Sequence, residues 1–353
     1  MPIQKAIVVT SKGQAALKTD RPVPKARDDF IVVKTVAVAL NPTDWKHIDF
    51  IGPVDTIVGC DFAGIIEDIG PGVSAHKGLK KGDKVYGVTH GGDAYNKENG
   101  AFAEHILAKA NLANKIPDNL SFEDASTLAL GLATVCHGLY MALGLNRPEK
   151  PLSQAEKKPI LIYGGSTATG SLGIQFAKLS GYDPITTCSP KNFDFVKSLG
   201  AVAAFDYHDP EAGKKIREYT NNSLTLVWDT VSLPDSADLS AEALSSASGG
   251  KYYTILPQKS PREDVESVAT LMYELMGEPF YRGEELRQVK KEDFDYLAEF
   301  LESATKFIAE GKVKPHPAKV GKDGLKGVLE GLQLMRENKV SGVKLVYKVE
   351  ETP

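Results

Sequence analysis

Residues 160–178 constrain the fold of this chain more than any other stretch. They begin with the apolar run ILIY at 160–163, which predicts a buried β-strand. A turn of small residues follows at 164–170, and apolar residues then recur at about helical spacing as far as Leu179. A strand, a small-residue turn and a helix in this order form the context in which a glycine-rich motif binds a dinucleotide.

The turn is chemically suited to a pyrophosphate. Such a group binds backbone N–H groups at a helix N-terminus, where the helix dipole also favours negative charge. Gly164, Gly165 and Gly170 leave room for that approach, and Ser166 and Thr167 add hydroxyl groups. Because the spacing departs from a regular G-x-G-x-x-G, an ordinary tight turn between strand and helix remains the alternative.

The next predicted strand, 185–188, bears on the choice of cofactor. NAD-binding folds place an aspartate or glutamate at the end of this strand, where it binds the ribose 2′-hydroxyl. Here the strand is followed by Ser189, Pro190, Lys191 and Asn192, without an acid. Hydroxyl, ammonium and amide groups suit a 2′-phosphate, so the sequence predicts NADPH. A solvated loop whose lysine faces water is the alternative.

Length and composition limit the other possibilities. A chain of 353 residues and 38.1 kDa is longer than one typical domain, so two domains are expected. A net charge of -4 and a pI near 6.0 disfavour a nucleic-acid-binding protein. We find no signal-peptide pattern at the start and no apolar run of bilayer-spanning length. Three scattered cysteines without a CxxC pair fit a reducing, cytoplasmic setting.

The secondary-structure pattern divides the chain in two. Short strands separated by proline- and glycine-rich turns fill residues 3–115, which predicts a barrel-like all-β unit. Ser121 is a predicted helix N-cap, followed by a helical run through Met141. After residue 160, strands and helices alternate, which predicts a parallel sheet with right-handed crossovers. The predicted strands are 6–10, 30–39, 63–69, 84–88, 101–107, 160–163, 185–188, 201–206, 224–229, 252–256 and 343–349, and helices are predicted at 193–199 and 294–311.

Five motifs occur in the order found in one known family. They are NPTD at 41–44, GCDFAG at 59–64, GDKVYG at 82–87, GAFAE at 100–104 and the turn around Gly164. With them the chain resembles the medium-chain dehydrogenases/reductases over nearly its whole length. The resemblance implies an α/β protein with a GroES-like β-barrel catalytic domain (residues 1–130 and 312–353) and a Rossmann domain (residues 131–311) with a doubly wound parallel sheet. The active site would lie in the cleft.

Within that family the sequence departs from the zinc alcohol dehydrogenases. By position, their first cysteine ligand corresponds to Asn41, a nearby histidine to Lys46, and their histidine–glutamate pair to Cys60 and Asp61. The stretch where the structural zinc lobe would fall, 89–101, contains no cysteine. A catalytic zinc needs about three protein ligands, and the remaining histidines show no paired spacing. We therefore predict no metal.

The zinc-free relatives are mostly quinone reductases and enoyl reductases. They transfer hydride from a nicotinamide to the β-carbon of an activated alkene, which requires a group that stabilises the developing enolate. Lys46 is the predicted catalytic residue, because a cation near the enolate oxygen stabilises it in a water-poor cleft. The alternative is that Lys46 simply extends to solvent.

Four segments, 164–182, 188–201, 205–210 and 340–349, narrow the resemblance. Together they are similar to the fungal trans-acting enoyl reductases. That similarity implies NADPH-dependent reduction of an α,β-unsaturated polyketide thioester in secondary metabolism. The substrate would be attached to the acyl carrier domain of a polyketide synthase, often a PKS–NRPS hybrid.

The same resemblance assigns site residues by position. The implied cofactor-binding residues are Thr43, Asp44, Trp45, Lys46, Ser166, Thr167, Ala168, Thr169, Ser189, Pro190, Lys191, Asn192, Tyr207, Thr254, Ile255, Val343 and Lys344. The implied substrate-binding residues, along an acyl tunnel, are Gly131, Leu132, Ala133, Thr134, Val135, Cys136, His137, Gly138, Leu275, Met276, Gly277, Glu278 and Pro279. Close helix packing at 131–138, and a helix end with a turn at 275–279, are the alternative explanations for these two segments.

Two other functions stay open. A stand-alone zinc-independent quinone or enone reductase would act on free small molecules. A cofactor-binding scaffold without activity, as some lens crystallins are, would share the cofactor site. Comparing the turnover of enoyl thioesters with the turnover of free quinones distinguishes between these functions. A monomer without nucleic acid or membrane is the expected state.

Overall fold

A computed structural model describes residues 2–73, 77–247 and 249–353. The chain forms two compact units. One contains the chain up to Leu130 together with Tyr273–Pro353, and the other contains Gly131–Met272. Residues 273–311, which we assigned from the sequence to the nucleotide-binding domain, pack with the N-terminal unit in the structure.

The N-terminal part of the first unit consists mainly of strands. Its elements are β1 (Ile3–Ser11), β2 (Gln14–Pro22), β3 (Phe30–Ala39), α1 (Pro42–Lys46), β4 (Asp61–Ile69), β5 (Lys84–Val88), β6 (His105–Lys109), β7 (Ala113–Lys115) and α2 (Phe122–Ala125). The predicted strands at 30–39 and 84–88 coincide with β3 and β5. Strand β2 was not predicted, because its side chains are mostly exposed or half-buried and it lacks a clear apolar alternation.

The helical run after Ser121 begins as predicted. The Ser121 hydroxyl accepts a hydrogen bond from the Asp124 N–H at 3.0 Å and caps α2. Helix α3 (Ala129–Val135) and a π-helical turn (Cys136–Ala142) follow. Among the described residues, Phe122–Ala142 is one stretch long and apolar enough to cross a membrane by length and composition, which was not expected from the sequence. Since 78 % of its most apolar window is buried, it has the character of a core helix.

The second unit alternates strands and helices. Its elements after α3 are β8 (Pro159–Tyr163), α4 (Ala168–Leu179), β9 (Asp183–Thr187), α5 (Phe193–Ser198), β10 (Ala203–Phe205), α6 (Ala212–Tyr219), β11 (Leu226–Asp229), α7 (Pro234–Ala243), β12 (Gly250–Thr254) and β13 (Val265–Ala269). The strands form a parallel sheet in the order β10-β9-β8-β11-β12-β13, as the alternation predicted. Because the chain extends to both sides of β8, the carboxyl end of this strand is a topological switch point, where ligands of such sheets bind.

The C-terminal part of the chain returns to the first unit. Its elements are β14 (Phe280–Arg282), β15 (Glu285–Arg287), α8 (Lys291–Ala309), β16 (Ala318–Val320), α9 (Gly324–Arg336) and β17 (Lys344–Lys348). Strand β17 pairs antiparallel with β3, so the sheet order is β16-β17-β3-β4-β5-β7, with β6 also paired to β3. This pairing explains why the last residues belong to the first unit.

The core of the first unit lies between this sheet, the β1–β2 hairpin and α9. Ile31, Val33 and Phe62 are fully buried in it, together with Leu325 and Val328 of α9. Fully burying an aliphatic or phenyl side chain contributes about 1.5–3 kcal/mol each. These strands therefore form a rigid support for the polar residues at their ends.

Candidate active site

The phosphate turn lies at the carboxyl end of β8. Gly164 has φ +83°, a left-handed conformation that favours glycine. Gly170, in the first turn of α4, lies against the same backbone, because a Cβ at this position would be 2.2 Å from the Gly164 carbonyl oxygen. The close approach of strand and helix that the sequence predicted at Gly170 is confirmed.

Thr167 orders the N-terminus of α4. Its Oγ1 accepts a hydrogen bond from the Gly170 N–H at 2.9 Å and lies 3.2 Å from the Thr230 hydroxyl. The remaining N–H groups of the first helical turn have no partner within the helix, so they are available to an anion. Residues 166–169, the predicted pyrophosphate-binding residues, are half-buried, which places them where the turn meets solvent.

The loop after β9 has the composition predicted for a 2′-phosphate site. Pro190–Asn192 form a short 3-10 turn on which Lys191 is exposed. The Ser189 hydroxyl donates to the Tyr207 hydroxyl at 3.4 Å, which joins this loop to the segment after β10. The Tyr207 side chain is 42 % exposed. The loop therefore offers hydroxyl groups, an aromatic ring and an ammonium group at the surface.

An acid does occur after the neighbouring strand β10. The Asp206 carboxylate accepts from the His208 N–H at 3.0 Å and lies 2.8 Å from His208 Nδ1. The hydrogen bond from the His208 N–H lowers the pKa of Asp206. Both contacts tie Asp206 to its own loop, whereas the end of β9 carries no acid.

A buried network orders the loop at the ends of β11 and β12. Asp229 is fully buried and accepts from the Tyr252 hydroxyl at 2.6 Å and from the Ser232 N–H at 2.8 Å. The Ser232 hydroxyl in turn accepts from the Ile255 N–H at 3.1 Å. Thr254 is buried and Ile255 is half-buried. These hydrogen bonds fix the backbone of the pair predicted to border the nicotinamide.

Residues 131–138 combine close packing with two accessible polar groups. A Cβ at Gly131 would be 2.7 Å from the Leu172 side chain, so this glycine is needed for packing. Thr134 and His137 are half-buried, and the other residues of this stretch are buried. Close packing therefore accounts for the small residues of this stretch, and its role in substrate binding stays a prediction.

In the first unit, Asp61, at a position that the resemblance aligns with a zinc ligand, forms a buried ion pair with Lys344. Asp61 Oδ2 accepts from Lys344 Nζ at 2.6 Å and from Asn41 Nδ2 at 2.9 Å. Asp61 Oδ1 accepts from the Leu130 N–H at 2.7 Å. Lys344, predicted to border the nicotinamide, is 4 % exposed, and its neighbour Val343 is half-buried. The Lys344 ammonium group is thus engaged by Asp61.

Helix α1 carries the predicted catalytic lysine. The Asn41 N–H donates to Asp44 Oδ2 at 2.7 Å and holds the start of the helix. Burial raises the pKa of Asp44 to about 7. Trp45 and Lys46 are half-buried, and Lys46 Nζ lies 5.7 Å from the centre of the Trp45 ring. Partial burial lowers the pKa of Lys46, since its charged form is less well hydrated than in water.

Sequence reasoning missed Tyr273, which connects Thr43 to two histidines. The Tyr273 hydroxyl lies 2.6 Å from Thr43 Oγ1, and the two residues are separated by 230 positions in the chain. The Tyr273 ring stacks on His90 with centroids 4.0 Å apart and meets His47 edge-on at 5.2 Å. Burial raises the pKa of Tyr273 and lowers those of His47 and His90. The cluster is therefore uncharged at neutral pH, and no local sequence pattern marks Tyr273.

The predicted acyl-tunnel residues 275–279, here called the tunnel segment, follow a 3-10 turn (Met272–Leu275). Leu275 and Met276 are buried. Gly277 has φ +74°, and a Cβ there would be 2.5 Å from the Phe294 ring. Glu278 is the single charged residue of the tunnel segment. The helix end and turn proposed as an alternative are present, and they do not exclude contact with a substrate.

No metal site is found among the residues that the structure describes. Within 2–73, 77–247 and 249–353, no group of three or more histidine, cysteine, aspartate or glutamate side chains lies close enough to hold a metal ion. Cys60, Cys136 and Cys188 are separate buried thiols, and burial raises the pKa of each. A raised pKa disfavours the thiolate form that zinc binds. The absence of a metal from the protein stays a prediction.

Two family models match the chain. The alcohol dehydrogenase GroES-like domain matches residues 27–118, and the zinc-binding dehydrogenase matches residues 168–262. A solved structure of an alcohol dehydrogenase superfamily protein from Novosphingobium aromaticivorans is similar, with a TM-score of 0.80 and 22 % identity. The similarity covers 99 % of this chain and 100 % of that chain. The predicted fold class, a GroES-like unit with a Rossmann-type parallel sheet, is confirmed.

Other relatives are more similar in sequence. Trans-enoyl reductase resD from Aspergillus sclerotiorum is 45 % identical, with 98 % of this chain and 99 % of the relative covered. Trans-enoyl reductase TOXD from Cochliobolus carbonum is 50 % identical, with 79 % of this chain and 93 % of the relative covered. Identity at this level, over this length, shows common family membership. The chain therefore belongs to the trans-enoyl reductases, within the medium-chain dehydrogenases/reductases.

Proposed function

We propose that the protein is a trans-acting enoyl reductase that uses NADPH to reduce an α,β-unsaturated polyketide thioester on the acyl carrier domain of a polyketide synthase. The observation that carries this proposal is the 45 % identity to a trans-enoyl reductase over 98 % of the chain. Family membership makes the protein a nicotinamide-dependent oxidoreductase. The choice of NADPH and of a carrier-bound substrate are the proposed parts.

The residues of the second unit fit the cofactor. Gly164 and Gly170 keep side chains away from the backbone N–H groups at the start of α4, where a pyrophosphate would bind. Ser189, Lys191 and Tyr207 would hold the 2′-phosphate, and a hydrogen bond to a charged group contributes about 1.5–3 kcal/mol. When bound, the nicotinamide supplies the hydride that adds to the β-carbon of the substrate.

Lys46 is the proposed catalytic residue. Hydride addition to the β-carbon places negative charge on the thioester oxygen, and a nearby ammonium group stabilises that charge. The lowered pKa of Lys46 reflects poor hydration, and in such surroundings an ammonium attracts an anion more strongly than in water. The hydrogen bond between Asn41 and Asp44 holds the short helix from which Lys46 extends.

Residues 131–138 of the second unit are proposed to bind the substrate, and the tunnel segment of the first unit is separately proposed to contact an acyl chain. Thr134 and His137 are half-buried polar groups suited to the thioester end of the substrate. Leu275 and Met276 are apolar, and the unbranched Met276 thioether adapts to chains of different shape. A small cavity of ≈ 20 Å³ in the first unit is lined in part by Met276, and it has room for about one water molecule.

The test follows deuterium from the cofactor into the product. Wild-type protein receives NADPH deuterated at the transferred position and a pantetheine-linked enoyl thioester, and the product is analysed by mass spectrometry and NMR. We expect deuterium at the β-carbon and a solvent-derived proton at the α-carbon. A thioester that stays unreduced while free quinones are turned over would replace this function by that of a stand-alone quinone reductase.

Lys46 is tested in the same assay. Lys46→Met should lower kcat roughly a hundredfold, since one stabilising group of the transition state is removed. NADPH affinity should change little, and Lys46→Arg should retain part of the activity because it keeps the positive charge. Unchanged kcat in Lys46→Met would remove Lys46 from the mechanism while leaving the reaction assignment intact.

A further inference from the structure

A network of charged and amide side chains holds the tunnel segment in the first unit. We call it the Glu278 clamp, and it consists of Arg27, Asp93, Asn99 and Glu278. Glu278 Oε1 accepts from Arg27 Nη1 at 3.3 Å, and Glu278 Oε2 accepts from Asn99 Nδ2 at 3.0 Å. The Glu278 side chain is 19 % exposed. Its carboxylate is therefore largely withdrawn from water and depends on these two donors.

Asn99 is the centre of the Glu278 clamp and is 2 % exposed. Its Nδ2 also donates to Asp93 Oδ2 at 3.1 Å, and its Oδ1 accepts from Arg27 Nη2 at 2.9 Å. The amide group thus donates both N–H bonds to carboxylates, and its oxygen accepts a hydrogen bond from a guanidinium. The reverse orientation would place the amide oxygen against two carboxylates, so the chemistry of the neighbours sets this orientation.

Packing against an aromatic ring fixes Arg27. Its guanidinium carbon lies 3.8 Å from the centre of the Phe30 ring, within the range of a cation–π interaction. Phe30 is 3 % exposed and begins β3, which is paired on both sides in the sheet of the first unit. The clamp therefore connects the Glu278 carboxylate to a strand that is paired on both sides in that sheet.

Two buried rings hold the chain on either side of the tunnel segment. Tyr273 is 5 % exposed and Phe280 is 2 % exposed. Between them, Gly277 has φ +74° and forms the turn that precedes Glu278. If the clamp donors were lost, the carboxylate would have to move towards water, because an unpaired buried charge is costly. The rings would hold the ends, so the movement would be confined to the tunnel segment.

We propose that Arg27 and Asn99 are positioning residues that act through Glu278 to set the place of the tunnel segment, and thereby the acyl-chain length that the enzyme accepts. The inference rests on the proposed function, in which this segment contacts the acyl chain. In this proposal the tunnel segment contacts the far end of the acyl chain, so that its displacement changes the space there more than the space near the thioester. Long substrates should therefore be affected more than short ones.

The experiment compares wild-type protein with Arg27→Gln on short and long pantetheine-linked enoyl thioesters. We expect the KM for the long substrate to change about tenfold relative to that for the short one. The kcat on the short substrate and the Kd for NADPH should stay within about twofold of wild type. Arg27→Lys, which keeps the charge but loses the planar fork, should fall between wild type and Arg27→Gln. Asn99→Ser provides a second, independent loss of donors to Glu278.

Arg21→Gln is the matched control. Arg21 lies on β2 and pairs with Asp55 at 2.5 Å, so the same substitution removes an ion pair of the β1–β2 hairpin region. It should leave the chain-length preference at the wild-type value. Hydrogen exchange provides a readout besides activity: amides of residues 275–278 should exchange faster in Arg27→Gln, while those of α4 should not.

The outcomes separate this inference from the proposed function. If wild-type protein reduces the thioesters but folded Arg27→Gln and Asn99→Ser keep its chain-length preference, the positioning role is wrong and the function stands. An equal loss on short and long substrates, together with weaker NADPH binding, would also overturn it, because that pattern indicates general damage. If wild-type protein reduces no enoyl thioester, the proposed function fails and this inference fails with it.

Discussion

The Lys344 ammonium nitrogen lies 2.6 Å from Asp61 Oδ2, and the two side chains are 3 % and 0 % exposed. The pair joins β17 to β4 across 283 residues of sequence. Both Asp61 oxygens have further donors, from Asn41 and Leu130. The pair therefore links two strands of the first unit and gives Lys344 a structural role beside the nicotinamide contact predicted for its position.

Lys344→Met is expected to lower the free energy of unfolding by about 3–5 kcal/mol, because it leaves the Asp61 charge buried without its cation. Adding Asp61→Asn should recover part of this loss. Urea denaturation measures the free energy of unfolding of both variants. Lys348→Met is the control on the same strand: its half-exposed pair with Glu123 at 3.3 Å should contribute less than about 1 kcal/mol. A Lys344→Met effect as small as that of the control would contradict the structural role.

Asp44 should make the protein less stable as pH rises. Burial raises its pKa from 3.8 to about 7, so the folded protein binds this proton more tightly than the unfolded chain does. The stabilisation is complete below about pH 4 and is lost as pH rises through about 7. A difference of this size corresponds to roughly 4 kcal/mol. Unfolding free energies measured between these pH values should show the decline.

Asp44→Asn tests this assignment, because the amide oxygen can still accept from the Asn41 N–H while the charge is removed. The decline in stability between about pH 4 and pH 7 should become shallower in this variant. Asp68→Asn serves as the control, since a hydrogen bond from Lys81 lowers the pKa of Asp68 and its contribution has the opposite sign. An unchanged pH profile in Asp44→Asn would show that another group is responsible.

The cofactor turn could be predicted because its signals are local. Glycine at 164 and 170, hydroxyl residues between them and an apolar strand before them lie within a few residues of each other. The structure confirms the physical need for Gly170, whose Cβ would collide with the backbone of Gly164. The Ser121 cap followed from the same kind of short-range pattern.

The rest of the site depends on contacts between distant parts of the chain. Glu278 is hydrogen-bonded to Arg27, which is 251 residues away in the sequence, and to Asn99, which is 179 residues away. Nothing near Asn99 in the sequence distinguishes it from an exposed loop residue. The contact of Tyr273 with Thr43 likewise arises only from the fold, which brings the two hydroxyl groups within hydrogen-bond distance. Such positions become visible when the tertiary structure is known.

Cofactor preference should depend on Lys191. This lysine is exposed on the turn after β9, and Lys191→Ala should weaken NADPH binding roughly ten- to a hundredfold while sparing NADH, since a charge-assisted bond to the 2′-phosphate is lost. Lys197→Ala is the matched control, because Lys197 is exposed on the following helix with its ammonium 5.9 Å from the Phe193 ring. Fluorescence titration measures the dissociation constants of NADPH and NADH for each variant. Equal weakening of NADPH and NADH would remove Lys191 from 2′-phosphate recognition.

Purified protein should contain substoichiometric zinc and keep its activity in chelators. The position of the first zinc-binding cysteine is taken by Asn41, whose amide donates to Asp61. The Lys344 ammonium group at the same carboxylate would repel a cation. Elemental analysis of protein prepared with added zinc measures the content. A tightly bound equivalent, lost together with activity on chelation, would contradict the metal-free account.

In the proposed function, the substrate arrives on a carrier domain. The most direct measurement compares kcat/KM with NADPH for one enoyl group presented on a polyketide synthase carrier domain, on free pantetheine, and for free quinones. We predict the highest value for the carrier-bound thioester, through a lower KM, and an advantage that shrinks as salt is added, because complementary charge acts mainly on encounter. Quinones turned over far better than either thioester would contradict the account.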